Sequence, residues 1–386
     1  MVARLGTAQT LAWASSYYLP AMLATSMAAD LGVSVATIFA AFSFSLVVSA
    51  VFGRWAGRLI DQSGGRPVLM GTNLLFATGL LALSLAQGPA LLFLSWGLIG
   101  VAMAAGLYDA AFATLVRLYG NGARSTITGI TLIAGFASTV GWPLTAWLEH
   151  EFGWRGACLG WAGLHVLLGL PLNASLPRHG EAPGASLLPS LSPQVESAPV
   201  AMDTFWPTVL LSTVFAVTWF TSTAMAAHLP SLLQAHGLTL AAALALAALV
   251  GPAQVAARLL EFGFLRTVHP LLSAQLATAM HPVGAVLLMV WGGPAALVFT
   301  VFHGAGNGIL TIAKGTLPLA IFGPQGYGAR QGVLMVPARM AQAFAPVVFG
   351  LAIERFGGDA LWISASLGLI ALAALVWLQR GGAMVR

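Results

Sequence analysis

Apolar runs of about 20 residues recur from one end of this chain to the other, and each can cross a hydrocarbon core of ~30 Å. Nothing else in the sequence restricts the fold as much. Charged residues make up 7% of the 386 positions and hydrophobic ones 58%, against about 25% charged in soluble domains. So few charges cannot cover a water-facing surface. The runs are continuous, which fits helices and not the short alternating strands of a membrane barrel. The expected class is an all-α integral membrane protein lodged in a lipid bilayer.

Twelve spans are read, at roughly 7–29, 35–57, 67–87, 89–117, 125–148, 154–176, 204–232, 238–260, 269–291, 294–322, 329–350 and 357–379. Residues 177–203 are rich in Pro, Ser, Gly and Glu and suit an aqueous linker. The domains expected are therefore 1–176 and 204–386, six helices each, joined by a cytoplasmic linker at 177–203.

Orientation follows from the arginines. With both termini cytoplasmic, Arg4, Arg54, Arg58, Arg66, Arg117, Arg124, Arg178, Arg258, Arg266, Arg330, Arg380 and Arg386 face inward, and only Arg155 and Arg355 face outward. The net charge of +5 is thus an orientation signal and not a nucleic-acid footprint. The first apolar run lacks a strongly basic leader, so it reads as a span and not as a cleaved signal.

Between the second and third spans lies Gly57–Leu69, GRLIDQSGGRPVL, read as a short polar turn at the water boundary. Gly57, Leu59, Asp61, Gly64, Arg66 and Leu69 stand as in the loop signature of the major facilitator superfamily, which the chain resembles here. Gln62 and Gly65 depart from it, standing where a basic residue is usual. The halves also echo each other at an offset near 200. Gly57-Arg-Leu-Ile-Asp61 is matched by Ala257-Arg-Leu-Leu-Glu261, Gly122-Ala-Arg124 by Gly328-Ala-Arg330, and Phe152-Gly153 by Phe356-Gly357. The resemblance implies two pseudo-symmetric six-helix bundles working by alternating access. It also implies a gating role for Asp61, capping a helix end and pairing with Arg117 or Arg124 beside Arg58 and Arg66. Glu261 is the candidate for the second copy.

Ionisable residues deep in a membrane cost roughly 2.5–3.5 kcal/mol on insertion scales, so each suggests function. Asp109, Lys314 and Arg339 all fall ~12–14 Å from a helix end at 1.5 Å per residue, near the middle of the core. The superfamily places the fourth, tenth and eleventh helices around its cavity, so the three are expected to meet. Lys314 and Arg339 are the expected anion anchors and Asp109 the proton carrier. Asp109 as a fixed structural partner of the two cations is the alternative. His303, Asn307, Thr311 and Lys314 make one polar stripe, and Met335, Arg339 and Gln342 another. Tyr17, Trp142, Asn307, Gln342 and His303 join the expected binding set, and His228 the proton-coupling set. His165 and His281 are expected to pack.

The function expected is a proton-coupled carrier of a small organic anion, a carboxylate, working as a monomer in the cytoplasmic (inner) membrane. The chain resembles the superfamily's monocarboxylate and oxalate carriers in placing basic residues on cavity helices, not through a shared motif. A proton-driven exporter of amphiphilic drugs or toxic oxyanions is the second reading. A membrane sensor or enzyme is the third, disfavoured because no nucleophile stands beside a base. No cofactor or metal is expected. Cys158 is the only cysteine, and no phosphate-binding loop is present.

Overall fold

A computed structural model describes residues 1–177, 204–265 and 268–380. The linker beyond Pro177, with Arg178, Arg266 and Arg386, lies outside the described residues. Within lipid the backbone must satisfy its own hydrogen bonds, and the described chain is helical almost throughout. The first span is α1 (Val2–Ala14) with α2 (Leu19–Leu31), the second α3 (Val35–Ser63), and the third α4 (Gly65–Ser84). The fourth joins α5 (Pro89–Gly106) to α6 (Tyr108–Tyr119). The fifth runs from α7 (Ala123–Ala134) into α8 (Ala137–Leu164), which folds back at Gly153 (φ 68°). The sixth continues through a π-helical turn at His165–Gly169 to α9 (Leu170–Ala174).

Then follow α10 (Phe205–Ala235), α11 (Leu240–Ala248) with α12 (Val250–Leu260), α13 (Pro270–Trp291), α14 (Ala296–Phe322), α15 (Tyr327–Phe356) and α16 (Leu361–Arg380). Counted as unbroken apolar stretches there are 8 candidate spans among the described residues, including the composites Pro89–Ala174 and Tyr327–Arg380. Opening those at their turns, and adding the broken first span, gives the expected twelve.

The polar turn expected at Gly57–Leu69 is mostly helix. α3 continues through Ser63 and α4 begins at Gly65, so Gly64 (φ 84°) makes the turn alone. Arg58 and Asp61 therefore ride the last turns of a helix, whose rigid backbone aims them.

The largest apolar cluster draws on Leu5 to Leu176 with only Leu319, Tyr327 and Ala343 from later in the chain. Two other clusters use buried residues from Leu211 onward only. A seam of small residues joins α3 to α15. A Cβ on Gly57 would strike the Gly328 carbonyl, and one on Gly332 would come within 2.6 Å of the Gly53 carbonyl. Such close approach is how helices pack where lipid removes the hydrophobic drive between them.

Candidate functional site

The site begins at a helix break. Leu107 is extended (φ −86°, ψ −169°) and interrupts the fourth span, leaving the Gly106 carbonyl without a helical partner. Gln9 of α1 donates to that carbonyl at 2.7 Å. The break starts a new helix inside the protein, and Asp109 occupies its first turn, where backbone N–H groups favour a carboxylate.

Asp109 Oδ1 lies 2.9 Å from Lys314 Nζ, and Oδ2 lies 2.5 Å from Arg339 Nη2. All three are buried, 8%, 4% and 7% exposed. Arg339 also donates to the Ser49 hydroxyl and carbonyl on α3. Gln331 donates to Asp109 (3.4 Å) and to the Lys314 carbonyl (3.2 Å). Lys314 Nζ sits 4.9 Å from the Trp219 ring centre, a cation–π contact. The cluster therefore ties α3 and α6 to α14 and α15. Removing one member of such a buried set costs about 3–5 kcal/mol, because the others are left uncompensated.

A cavity of ≈ 30 Å³ remains beside the charges, lined among others by Trp13, Tyr17, Trp219, Met335 and Gln342. That is room for a water or two at ~10–15 Å³ each. Gln342 closes one wall by donating to the Tyr17 hydroxyl at 2.9 Å. A substrate enters only if the cluster opens.

A third cation lies nearby. Arg258 of α12, expected at a water-facing helix end, is instead 5% exposed. It donates to the carbonyls of Thr131 (3.2 Å) and Gly308 (3.3 Å), and to Gln254 (3.4 Å) and Thr311 (3.5 Å). Its partners among the described residues are all neutral oxygens. Through its bonds to Gly308 and Thr311, Arg258 is tied to α14, the helix of Lys314, whose Nζ is 6.0 Å from the Tyr108 ring.

Several expected residues lie elsewhere. Trp142 is 43% exposed, 6.1 Å from Tyr18, and does not line the cavity. The fifth span breaks between α7 and α8, at Gly135–Phe136, which rotates Trp142 off the face of Thr131. His303 is held by His281, Nδ1 to Nδ1 at 3.0 Å, away from the cavity lining. His228 donates from Nε2 to the Pro346 carbonyl at 2.8 Å, so it is bound to backbone and takes no part in the charge cluster. Asn307 is half-buried on the stripe between His303 and Lys314. His165, expected only to pack, bridges Ser15 (2.7 Å) and Asn73 (3.0 Å).

At the arginine-rich end two carboxylates cross between the halves. Asp61 accepts from the N–H groups of Gly328 (3.0 Å) and Ala329 (2.8 Å) at the start of α15. Arg117 donates to the Asp61 and Gln62 carbonyls and so braces the same turn. Glu261 pairs with Arg124 at 3.3 Å, and Arg124 also donates to the Val268 carbonyl at 2.7 Å. Arg58 is exposed and Arg66 half-buried beside this crossing.

Three contributors stand outside the expected binding set. Trp219 is an aromatic of α10, Arg258 resembled a loop arginine, and Ser49 sat inside an apolar run. Of these only Trp219, an aromatic within a span, could have been read in advance.

Twelve spans, a buried charge cluster and a carboxylate capping α15 define a class of membrane carrier. The family model of the Major Facilitator Superfamily matches residues 5–280, and the chain belongs to that superfamily. It is a multi-pass membrane transporter, not an enzyme. A Thermoproteus tenax protein, described as an uncharacterized 38 kDa protein in the 23S RNA operon, is 29% identical over 93% of this chain and 90% of its own. Multidrug resistance protein MdtL of Salmonella schwarzengrund (strain CVM19633) is 32% identical over 37% of this chain and 36% of its own. Monocarboxylate transporter 13 of Rattus norvegicus is 35% identical over 26% and 24%. The human organic anion transporter MFSD10 superposes with a TM-score of 0.71 over 97% of this chain and 98% of its own, at 16% identity, a likeness of fold.

Proposed function

We propose that this transporter carries a small organic anion, a carboxylate, coupled to a proton. The halves 1–176 and 204–386 rock about the Asp109 cluster, joined by 177–203. The protein works as a monomer in the cytoplasmic membrane with both termini inside. One observation carries this reading: Lys314 and Arg339, both buried, share the single carboxylate Asp109, while the other buried carboxylate, Glu261, is taken by Arg124 and the buried Arg258 is held by neutral oxygens. A region with that imbalance favours an added anion.

The cluster also suggests how coupling works. A substrate carboxylate and Asp109 compete for the same guanidinium and ammonium. When substrate takes Arg339, whose planar fork suits a carboxylate, Asp109 loses a partner and takes a proton. Trp219 and Tyr108 hold Lys314 while Asp109 is away. Lys314, Arg339, Tyr17 and Gln342 bind the anion; Asn307 stands a short step further along α14. Asp61, Arg117, Arg124 and Glu261 hold one end shut, with Arg58 and Arg66 beside them.

Uptake of labelled pyruvate or oxalate into proteoliposomes, with and without an inward proton gradient, tests this. Gradient-driven accumulation is expected, lost with Arg339→Ala. Asp109→Asn should keep exchange and lose accumulation against the gradient. If neither anion is carried, the reading fails. The exporter reading draws on the aromatic wall of Trp13, Tyr17 and Trp219 and on the local likeness to MdtL. Efflux of an amphiphilic cation with no carboxylate uptake would favour it.

A further inference from the structure

A second polar network lies outside the charge cluster, between α13, α14 and α16. His281 Nδ1 meets His303 Nδ1 at 3.0 Å, and His281 Nε2 meets the Ser364 hydroxyl at 3.1 Å. Ser364 in turn donates to the Leu361 carbonyl at 2.9 Å. Phe299 flanks both rings, 5.6 Å from His281 and 6.2 Å from His303. Both histidines are buried.

The direction of this chain follows from the serine. Its one hydrogen goes to Leu361, so toward His281 it can only accept, and His281 Nε2 carries a hydrogen. In the neutral ring His281 Nδ1 is then a lone pair, and the hydrogen between the rings belongs to His303 Nδ1. The lone pair left over is on His303 Nε2. A proton added there breaks none of the three hydrogen bonds. A second proton would fall on His281 Nδ1 and set two donors against each other. The network accepts one proton and resists another.

We propose that His303 Nε2 is a proton-binding site of this transporter, distinct from Asp109, with His281 and Ser364 as positioning residues that fix its tautomer. The charges around it are sparse. α13 holds no other ionisable side chain and α11 none, α16 holds only Arg380, α12 only Arg258, and α10 only His228, which is tied to Pro346. On α14 itself Lys314 lies eleven residues along, ~16 Å at 1.5 Å per residue. On α15, Arg339 is held by Asp109 and Ser49, while Arg330, Glu354 and Arg355 sit toward the helix ends. No carboxylate among the described residues touches either ring. Between His303 and Lys314 the same face carries Asn307 and Thr311, the latter bonded to Arg258. A proton on His303 therefore adds positive charge to the helix that bears Lys314 without entering the ion pairs. The use of that proton rests on the proton-coupled reading above; its binding does not.

Nitrogen NMR of isotope-labelled histidines in the full-length protein in nanodiscs tests the binding without any cargo. At alkaline pH, His303 should show the Nδ1–H tautomer and His281 the Nε2–H tautomer. On acidification through and below the ordinary histidine range, near 6.5, His303 alone of the pair should gain a proton. His303→Gln should remove that titration and assign it. Ser364→Ala, a small change that keeps the helix packing, should mix the His281 tautomers while His303 still titrates. Two neutral rings throughout the pH range in which the protein stays folded, or protonation of His281 first, overturns the proposal. Oxalate exchange by His303→Gln reports on the carrier reading separately, since exchange needs the anion cluster and no net proton movement.

Discussion

The two crossings at the arginine-rich end are copies of one device with different reach. At the first, Gly57 of α3 and Gly328 of α15 bring backbones together, and the Asp61 carboxylate reaches two N–H groups directly. At the second, Ala257 replaces Gly57, and Gly122, the counterpart of Gly328, has open space where its Cβ would be. There the carboxylate of Glu261 has no backbone hydrogen bond among the described residues, and the Arg124 side chain spans the gap. Ala257 in place of Gly57, and Glu261 in place of Asp61, accompany the change from a backbone lock to a side-chain latch. A backbone lock is short and rigid. A latch made of a long, part-exposed side chain gives up more rotamer entropy to form and is weaker.

That contrast can be broken from either side. Gly57→Leu should have the largest effect, about 3 kcal/mol or more against the closed end, because the new side chain meets backbone that cannot yield. Spin labels at Gln62 and Gln325 should report the two ends moving apart. Asp61→Ala comes next, at about 2 kcal/mol, the loss of a charged acceptor bonded to two N–H groups; the same label pair should show a mixed population. Arg124→Gln should cost less, about 1 kcal/mol, because the arginine is 23% exposed and the glutamine amide still offers an N–H to Glu261, which is 2% exposed. Labels at Asn121 and Phe264 should show a small opening. Ala257→Gly should be smallest, about 0.5–1 kcal/mol from lost helix propensity, with no new lock unless the helices can also close the space. An Arg124→Gln effect as large as that of Asp61→Ala would erase the distinction.

Much of the fold was legible because lipid imposes a length rule. Apolar runs read off the chain fall within a few residues of the helices, apart from extensions such as α3 through Ser63 and α15 through Phe356. Asp109, Lys314 and Arg339 could be placed at one depth by counting helical rise, and they meet. Facing was harder, since it needs helical phase, and phase is lost at every break. The breaks at Leu107 and Gly135–Phe136 carry no proline that would announce them. The latter turned Trp142 away from the expected wall. Arg258 resembled an orientation signal because its sequence neighbours do not reveal the α7 and α14 carbonyls that receive it. The His281–His303 contact joins two helices whose hydrophobic patterns say nothing about polar pairing.

A substrate carboxylate that displaces Asp109 from its cations leaves Asp109 to take up a proton. Calorimetry of oxalate binding to the protein in nanodiscs, repeated in two buffers of different ionisation enthalpy, tests this displacement directly. Uptake of about one proton per anion bound is expected, abolished by Asp109→Asn, with no binding to Arg339→Gln. Oxalate binding that takes up no proton, or that survives unchanged in Arg339→Gln, contradicts the displacement.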